Sequence, residues 1–279
     1  MRIANVDGNL AIVVGDGYID VSRASARQFG SDVQQVYSRR DELVDWWQGS
    51  RGERDIDGAL SEVTLRAPVP RPRQVFALGL NYDEHAREAG LHSKGPVPVF
   101  TKFPSCIADP FGDIRLPTEF VDWEVELVVV IGRETSEVTE DDAWSHVAGL
   151  TVGQDLSERH EQMEGAAPQF SLAKSYAGFG PIGPCVVTVD EIDDPDDLEL
   201  RTEVNGEIMQ NSRTSYMIAG VAETIARLSR VCTLWPGDLI FTGTPGGIGN
   251  ARNPKVFLRP GDELVSTIET IGTIRQRCK

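Results

Sequence analysis

The chain has 279 residues, enough for one large domain or a small and a large one, either with a substantial core. Its 27 basic and 43 acidic residues give a formal net charge of −16, which argues against phosphate-backbone binding and so against a nucleic-acid partner. Its four cysteines, Cys106, Cys185, Cys232 and Cys278, form no C-x-x-C pair, which argues against a disulfide scaffold or zinc ribbon and for a reducing, cytoplasmic setting.

The opening segment MRIANVDGNLAIVVGDG lacks the basic, apolar, small-residue layout of a signal peptide, and no stretch approaches the ~20 apolar residues that cross a bilayer. No membrane partner is expected. The β-like runs RIANV, LAIVV and YIDVS are separated by DGN and GDG, which predict hairpins and a small meander. Residues 24–47 read as helical, with Val33, Val36, Leu43 and Trp46 at helical spacing. The proline-rich stretch APVPRPRQV, residues 67–75, predicts a linker between a small N-terminal α+β domain, 1–70, and a main domain, 71–279. Beyond it come short strands bounded by glycine and proline: VFALGL, VPVFTKF, VELVVVIG, VAGLTVG, PCVVTV, LELRTEVNGE, DLIFTGT and the closing ELVSTIETIGTIRQR. One clear helix, 217–229, interrupts them, and the acidic EIDDPDD reads as a solvated turn. The fold class is therefore β-rich α+β, built around a barrel or sandwich.

Four segments could carry chemistry. In NYDEHAREAG, His85 and Glu88 are three apart and share a face on a helical turn, where the carboxylate would fix the imidazole tautomer and raise its basicity. The alternative is an exposed helix with an ordinary polar pair. In VDWEVELVVVIG, Asp122, Glu124 and Glu126 alternate with Val121, Trp123 and Val125, which places the carboxylates on one strand face whose acidic end opens into a polar cavity. Glu124 and Glu126, with Asp155 of VGQDLSERH, supply three carboxylates, the oxygen donors that a hard dication such as Mg²⁺ or Mn²⁺ requires. The alternative is a strand edge kept soluble by acids. Lys174 lies in QFSLAKSYAGFGPIGP among small and apolar residues, where it could hold a developing oxyanion or simply snorkel. FTGTPGGIG lacks the GK[ST] ending of a nucleotide loop, and reads instead as a tight turn offering N–H groups and the Thr244 hydroxyl to a carboxylate.

Taken in order from about residue 72, GLNYDEHARE, VDWEVELVVVIG, GQDLSER, LAKSYAGFGPIGP, LRTEVNGEIMQ, LWPGDLIFTGTPGGIG and GDELVSTIETIGTIRQR resemble successive signatures of the fumarylacetoacetate hydrolase family. The resemblance implies a mixed β-barrel or roll-like catalytic domain, a homodimer, and one Mg²⁺ or Mn²⁺ per subunit held by Glu124, Glu126 and Asp155. It implies a catalytic dyad at His85 and Glu88, a lysine near the metal at Lys174, and substrate contacts at Arg159, Gln162 and Thr244. The usual asparagine before the metal-binding aspartate is replaced by Gln154, and His160 follows Arg159, either near the cavity rim or simply exposed.

The activity implied is hydrolysis of a carbon–carbon bond in a small anionic 2,4-dioxo acid of acylpyruvate type, by water activated at the dyad. Isomerisation of a hydroxymuconate-like diacid and decarboxylation of oxaloacetate use the same chelate without water attack. A metal-free, catalytically silent binding protein is the non-enzyme alternative. Contacts to the far end of the substrate are expected from residues 90–98 and from the N-terminal domain.

Overall fold

The structure is a computed structural model that describes residues 1–49, 55–88, 90 and 95–279. Its centre is the strand Val125–Ile131, buried at every position and flanked by the equally buried Val147–Gln154 and by Leu239–Phe241. Burial on both faces is why this run shows no alternation of polar and apolar residues. One face packs Val125, Leu127, Val129 and Ile131 against Ile225 and Leu228 of the helix Val221–Ser229. The other packs Val128 and Val130 with Val33, Val36 and Leu43 of the N-terminal helices.

The sheet continues from Val147–Gln154 through Gly180–Val187 to Arg2–Val6, so the N-terminal strands hydrogen-bond directly into the main sheet, with Arg2 opposite Val187 and Ile3 opposite Val186. Arg2–Val6, Asn9–Val14 and Gly17–Asp20 form the expected meander, and Asp7 and Gly8 turn the first hairpin with φ of 51° and 92°, as its two-residue loop demands. On the far side, Leu239–Phe241 runs parallel to Val75–Leu78, which pairs with Val99–Thr101. A second sheet of five strands orders Glu207–Arg213, Glu199–Val204, Glu263–Ile268, Gly272–Cys278 and Phe111–Ile114. Among the described residues the sheets form a β-rich roll with few helices, and the long sheet stays open from one edge to the other.

Two expected helices are shorter than their patterns. In the 24–47 region, Ala26 and Arg27 take positive φ, and the helical segment starts only at Val33, where Asp32 accepts from the N–H of Gln34. The later helix starts at Val221, after Gly220. Residues 67–74 contain no regular element, yet they are pinned: Asn5 donates to Ala67 O, Tyr37 to Pro68 O, and Arg71 pairs with Asp32 at 2.7 Å.

Candidate active site and metal centre

Strand register brings the carboxylates together. Val125 lies opposite Gln154, so Glu124, just before one strand, meets Asp155, just after its neighbour, and Asp155 N–H donates to Glu124 O at 2.9 Å. Glu126 stands two residues along on the same face. One oxygen of each of Glu124, Glu126 and Asp155 lies within 4.8 Å of the others, and all three residues are buried.

Three cations answer this charge. Lys174 Nζ donates to Glu124 Oε2 at 2.6 Å and to Asp155 Oδ2 at 2.8 Å. Arg159 donates from NH2 to Glu124 Oε1 at 2.6 Å, from Nε to Asp122 Oδ2 at 2.8 Å, and from NH1 to Gln162 Oε1 at 3.0 Å. Lys102 holds the second oxygen of Asp155 at 2.6 Å. Burial alone would raise Glu124, but Lys174 and then Arg159 outweigh it and bring its pKa down to about 2. Burial likewise opposes the charge on Lys174, and Asp155 and Glu124 more than restore it, leaving its pKa raised.

Glu126 is left out of this pairing. Its Oε2 accepts the Gly243 N–H at 2.7 Å, but its buried Oε1 has no partner. Burial, then the Asp155 and Glu124 carboxylates, push it well above the usual carboxylate range. An orphaned, buried acid oxygen beside two further carboxylates is the environment a hard dication relieves, and the all-oxygen donor set suits Mg²⁺ or Mn²⁺. The residues fit the group the sequence implied.

The dyad forms on the short helix Asp83–Glu88, where His85 Nδ1 lies 2.8 Å from Glu88 Oε1. Asn81 ties the start of this helix to the glycine loop, donating to Thr242 O at 2.7 Å and Ala219 O at 3.0 Å. The other end is tied by Gly247 N–H, which donates to Glu88 Oε2 at 2.8 Å. Gly247 has φ of 104°, and a Cβ there would lie 2.2 Å from Met209 O, so the loop needs glycine at this point. A hydrogen on His85 Nδ1, donated to Glu88 Oε1, leaves the Nε2 lone pair free in the neutral ring.

One cavity of about 200 Å³ joins these parts: His85, Glu124, Arg159, Gln162, Lys174 and Thr244 all line it. Its remaining wall is largely apolar, with Leu80, Phe100, Phe170 and Ile248. Glu88 stands behind His85, and the nine residues singled out in the sequence thus converge. The Thr244 hydroxyl is already engaged, donating to Val125 O at 2.9 Å and accepting from Gln210 at 2.8 Å. Gln154 points away from the site: its Oε1 accepts from Glu124 N–H and its Nε2 donates to Thr202 and Ser266, so the replacement of asparagine knits two sheets together. Asp122 does not join Glu124 and Glu126. It sits on the separate two-residue strand Val121–Asp122, anchoring Arg159 and accepting from Gly249 and Asn250 N–H. Lys102, which the sequence reading passed over, is fully buried. Its place in VPVFTKF, where no other charged residue stands beside it, was the available signal. Of residues 90–98, 91–94 lie outside the described residues.

A larger cleft, about 730 Å³, lies elsewhere, between the N-terminal helices and Trp235, and is lined by five arginines. Four of them already pair with Asp32, Asp41 and Glu42, and no titratable pair or carboxylate cluster resembling the one above is found there.

A β-roll carrying a buried carboxylate triad that could hold a metal ion, with a His–Glu pair lining the same cavity, has the architecture of an enzyme active site. The fumarylacetoacetate (FAA) hydrolase C-terminal family model matches residues 74–279, and the chain belongs to that family. It is 46% identical over 220 residues to a Bos taurus oxaloacetate tautomerase named as mitochondrial, a match covering 77% of this chain and 69% of that protein. A candidate HpcE protein from Mycobacterium smegmatis shares 53% identity with a TM-score of 0.94, over 100% of this chain and 99% of that one. The maleylpyruvate hydrolase of Sphingobium sp. SYK-6, solved with manganese(II) and pyruvate, shares 27% identity with a TM-score of 0.82, over 100% and 98% of the two chains. Family membership sets aside the silent binding protein. No helix among the described residues is long and apolar enough to cross a membrane.

Proposed function

We propose that the chain is a metal-dependent tautomerase of 2-oxo acids of the oxaloacetate type, moving a proton between carbon 3 and the 2-oxo oxygen. The observation that carries this reading is the His85–Glu88 pair at 2.8 Å, its imidazole lining the same cavity as the carboxylate Glu124. The similarity to an oxaloacetate tautomerase supports it.

Glu124, Glu126 and Asp155 would hold Mg²⁺ or Mn²⁺, which supplies Lewis-acid polarisation of the 2-oxo group and a grip on the neighbouring carboxylate. His85 Nε2 takes the proton from carbon 3 and delivers it to the 2-oxo oxygen, and in the reverse direction it takes the enol proton from that oxygen and returns it to carbon 3. Glu88 fixes the ring and stabilises the imidazolium formed in between. Lys174 offers a buried positive charge to the developing oxyanion. Arg159 and Gln162 orient the carboxylate oxygens, and Thr244, its hydroxyl engaged, contributes its backbone N–H. The working unit is proposed to be a homodimer in the cytoplasm, the latter resting on four free cysteines.

Hydrolysis of an acylpyruvate is the second reading, because the same base can take a proton from water and a similar structure belongs to a maleylpyruvate hydrolase. One experiment separates the two. The Mn²⁺-loaded protein is mixed with enolic oxaloacetate, and loss of the enol absorbance is followed beside a coupled assay for pyruvate. Accelerated enol loss without pyruvate supports tautomerisation. Pyruvate from oxaloacetate would establish decarboxylation, pyruvate from an acylpyruvate hydrolysis, and neither signal would remove the proposal.

A further inference from the structure

A second cavity, about 460 Å³, opens beside the first and shares Arg159, Met163 and Asn250 with it. Its floor is aromatic. Phe120 stacks on His160 with centroids 5.7 Å apart and meets Phe257 edge-on at the same distance. Phe120 is 36% exposed and Met163 62%, so apolar surface faces solvent here. Lys255, Glu164 and Arg159 also line it, Lys255 and Glu164 with opposite charges and Arg159 with its charge already answered by Asp122 and Glu124. Met163, unbranched and adaptable, forms the ridge between the two cavities.

We infer that this shelf is the subsite for the distal arm of the substrate, and that the arm it takes is aromatic or otherwise apolar. This inference rests on the functional reading above, which places the chelated 2-oxo acid in the first cavity. Arg159 belongs to both cavities: its guanidinium contacts Glu124 and Gln162 on the catalytic side, and it lines the shelf together with Met163, so an acid held in the first cavity lies beside the entrance to the rings. The rings offer stacking and edge contacts to a flat arm. The preferred ligands are therefore 2-oxo acids extended by an aryl or alkyl group, such as 4-aryl-2,4-dioxobutanoates, which enolise at the same carbon as oxaloacetate.

The test compares oxaloacetate with 2,4-dioxo-4-phenylbutanoate in enol–keto exchange on the Mn²⁺-loaded protein. The phenyl compound is expected to show a KM about tenfold lower, and Phe257→Ala to erase most of that ratio. Met163→Ala, at an exposed site where truncation leaves the fold intact, is expected to reduce the ratio in the same direction. A ratio unmoved by both variants, with oxaloacetate still turned over, overturns the inference and leaves the functional reading standing. If the wild type turns over neither compound, the functional reading fails. Calorimetric binding of the phenyl compound against oxalate, in wild type and Phe257→Ala, then decides the subsite: equal discrimination by the two proteins overturns it, and a preference lost in the variant supports it.

Discussion

Lys102 Nζ lies 2.6 Å from Asp155 Oδ1, and neither side chain has contact with solvent. Its other hydrogens go to the carbonyls of Lys174 and Phe179, so all three donors of the ammonium are used. By occupying one oxygen of Asp155, Lys102 leaves Oδ2 as the oxygen turned to Lys174 and the triad. Lys102→Met would leave Asp155 Oδ1 and the Lys174 carbonyl without their buried donor, and removing one partner of a buried pair costs about 3–5 kcal/mol. Urea unfolding of the metal-free protein measures this, and a loss below about 1 kcal/mol would mean that the pair contributes little to the fold.

Among the described residues His85 makes no hydrogen bond to Glu124, Glu126 or Asp155, whereas its partner Glu88 is held by the glycine loop. His85→Ala is accordingly expected to lower turnover by about 10²–10⁴, the usual share of a positioned general base, with Mn²⁺ affinity nearly unchanged. Steady-state rates and a metal titration, run on one preparation, check both halves. A large fall in metal affinity would place His85 in the metal site instead.

Glu126 has a different signature. Its unpaired oxygen beside Asp155 and Glu124 disfavours the ionised form until a cation arrives. In EDTA, Glu126→Gln should melt at the wild-type temperature or above it. On addition of Mn²⁺ the wild type gains about 2.7 kcal/mol at a hundredfold excess over Kd, while the variant should lose most of that gain. Calorimetric melting with and without metal reads both signs, and a variant still fully stabilised by Mn²⁺ would take Glu126 out of the ligand set.

Gly247 links backbone conformation to the dyad. Its positive φ and the 2.2 Å approach of Met209 O leave no room for a side chain, and its N–H is what orients Glu88. Gly247→Ala should cost about 1–3 kcal/mol through strain and also lower turnover by displacing Glu88. The informative comparison is with Glu88→Gln. If the glycine variant loses stability but keeps full activity, the loop does not position the dyad.

The strands were readable because runs such as VELVVVIG are buried on both faces and end at glycine or proline, and the triad was readable because its members lie at the adjoining ends of two neighbouring strands. Asp122 was grouped wrongly because alternation assumes an unbroken strand. The chain leaves regular pairing at Trp123 and Glu124, which turns the Asp122 carboxylate toward Arg159. The helical pattern of 24–47 overran its true start because nothing in the spacing of apolar residues signals the positive φ of Ala26 and Arg27. Lys102 and Gln210 act only through partners 34 or more residues away, and such contacts leave little trace in local pattern.

The pairing of Arg2–Val6 with Gly180–Val187 bears on how this enzyme can be handled in the laboratory. A fragment trimmed to the family-matching residues 74–279 would lose both the strand that covers one sheet margin and the side chains, Ile3, Val33 and Leu43, that shield Val128 and Val130. The uncovered margin would present unpaired amides and carbonyls over a greasy face, a template for self-association. Such a fragment should collect in inclusion bodies, and supplying the first 73 residues as a separate chain should rescue part of it into the supernatant.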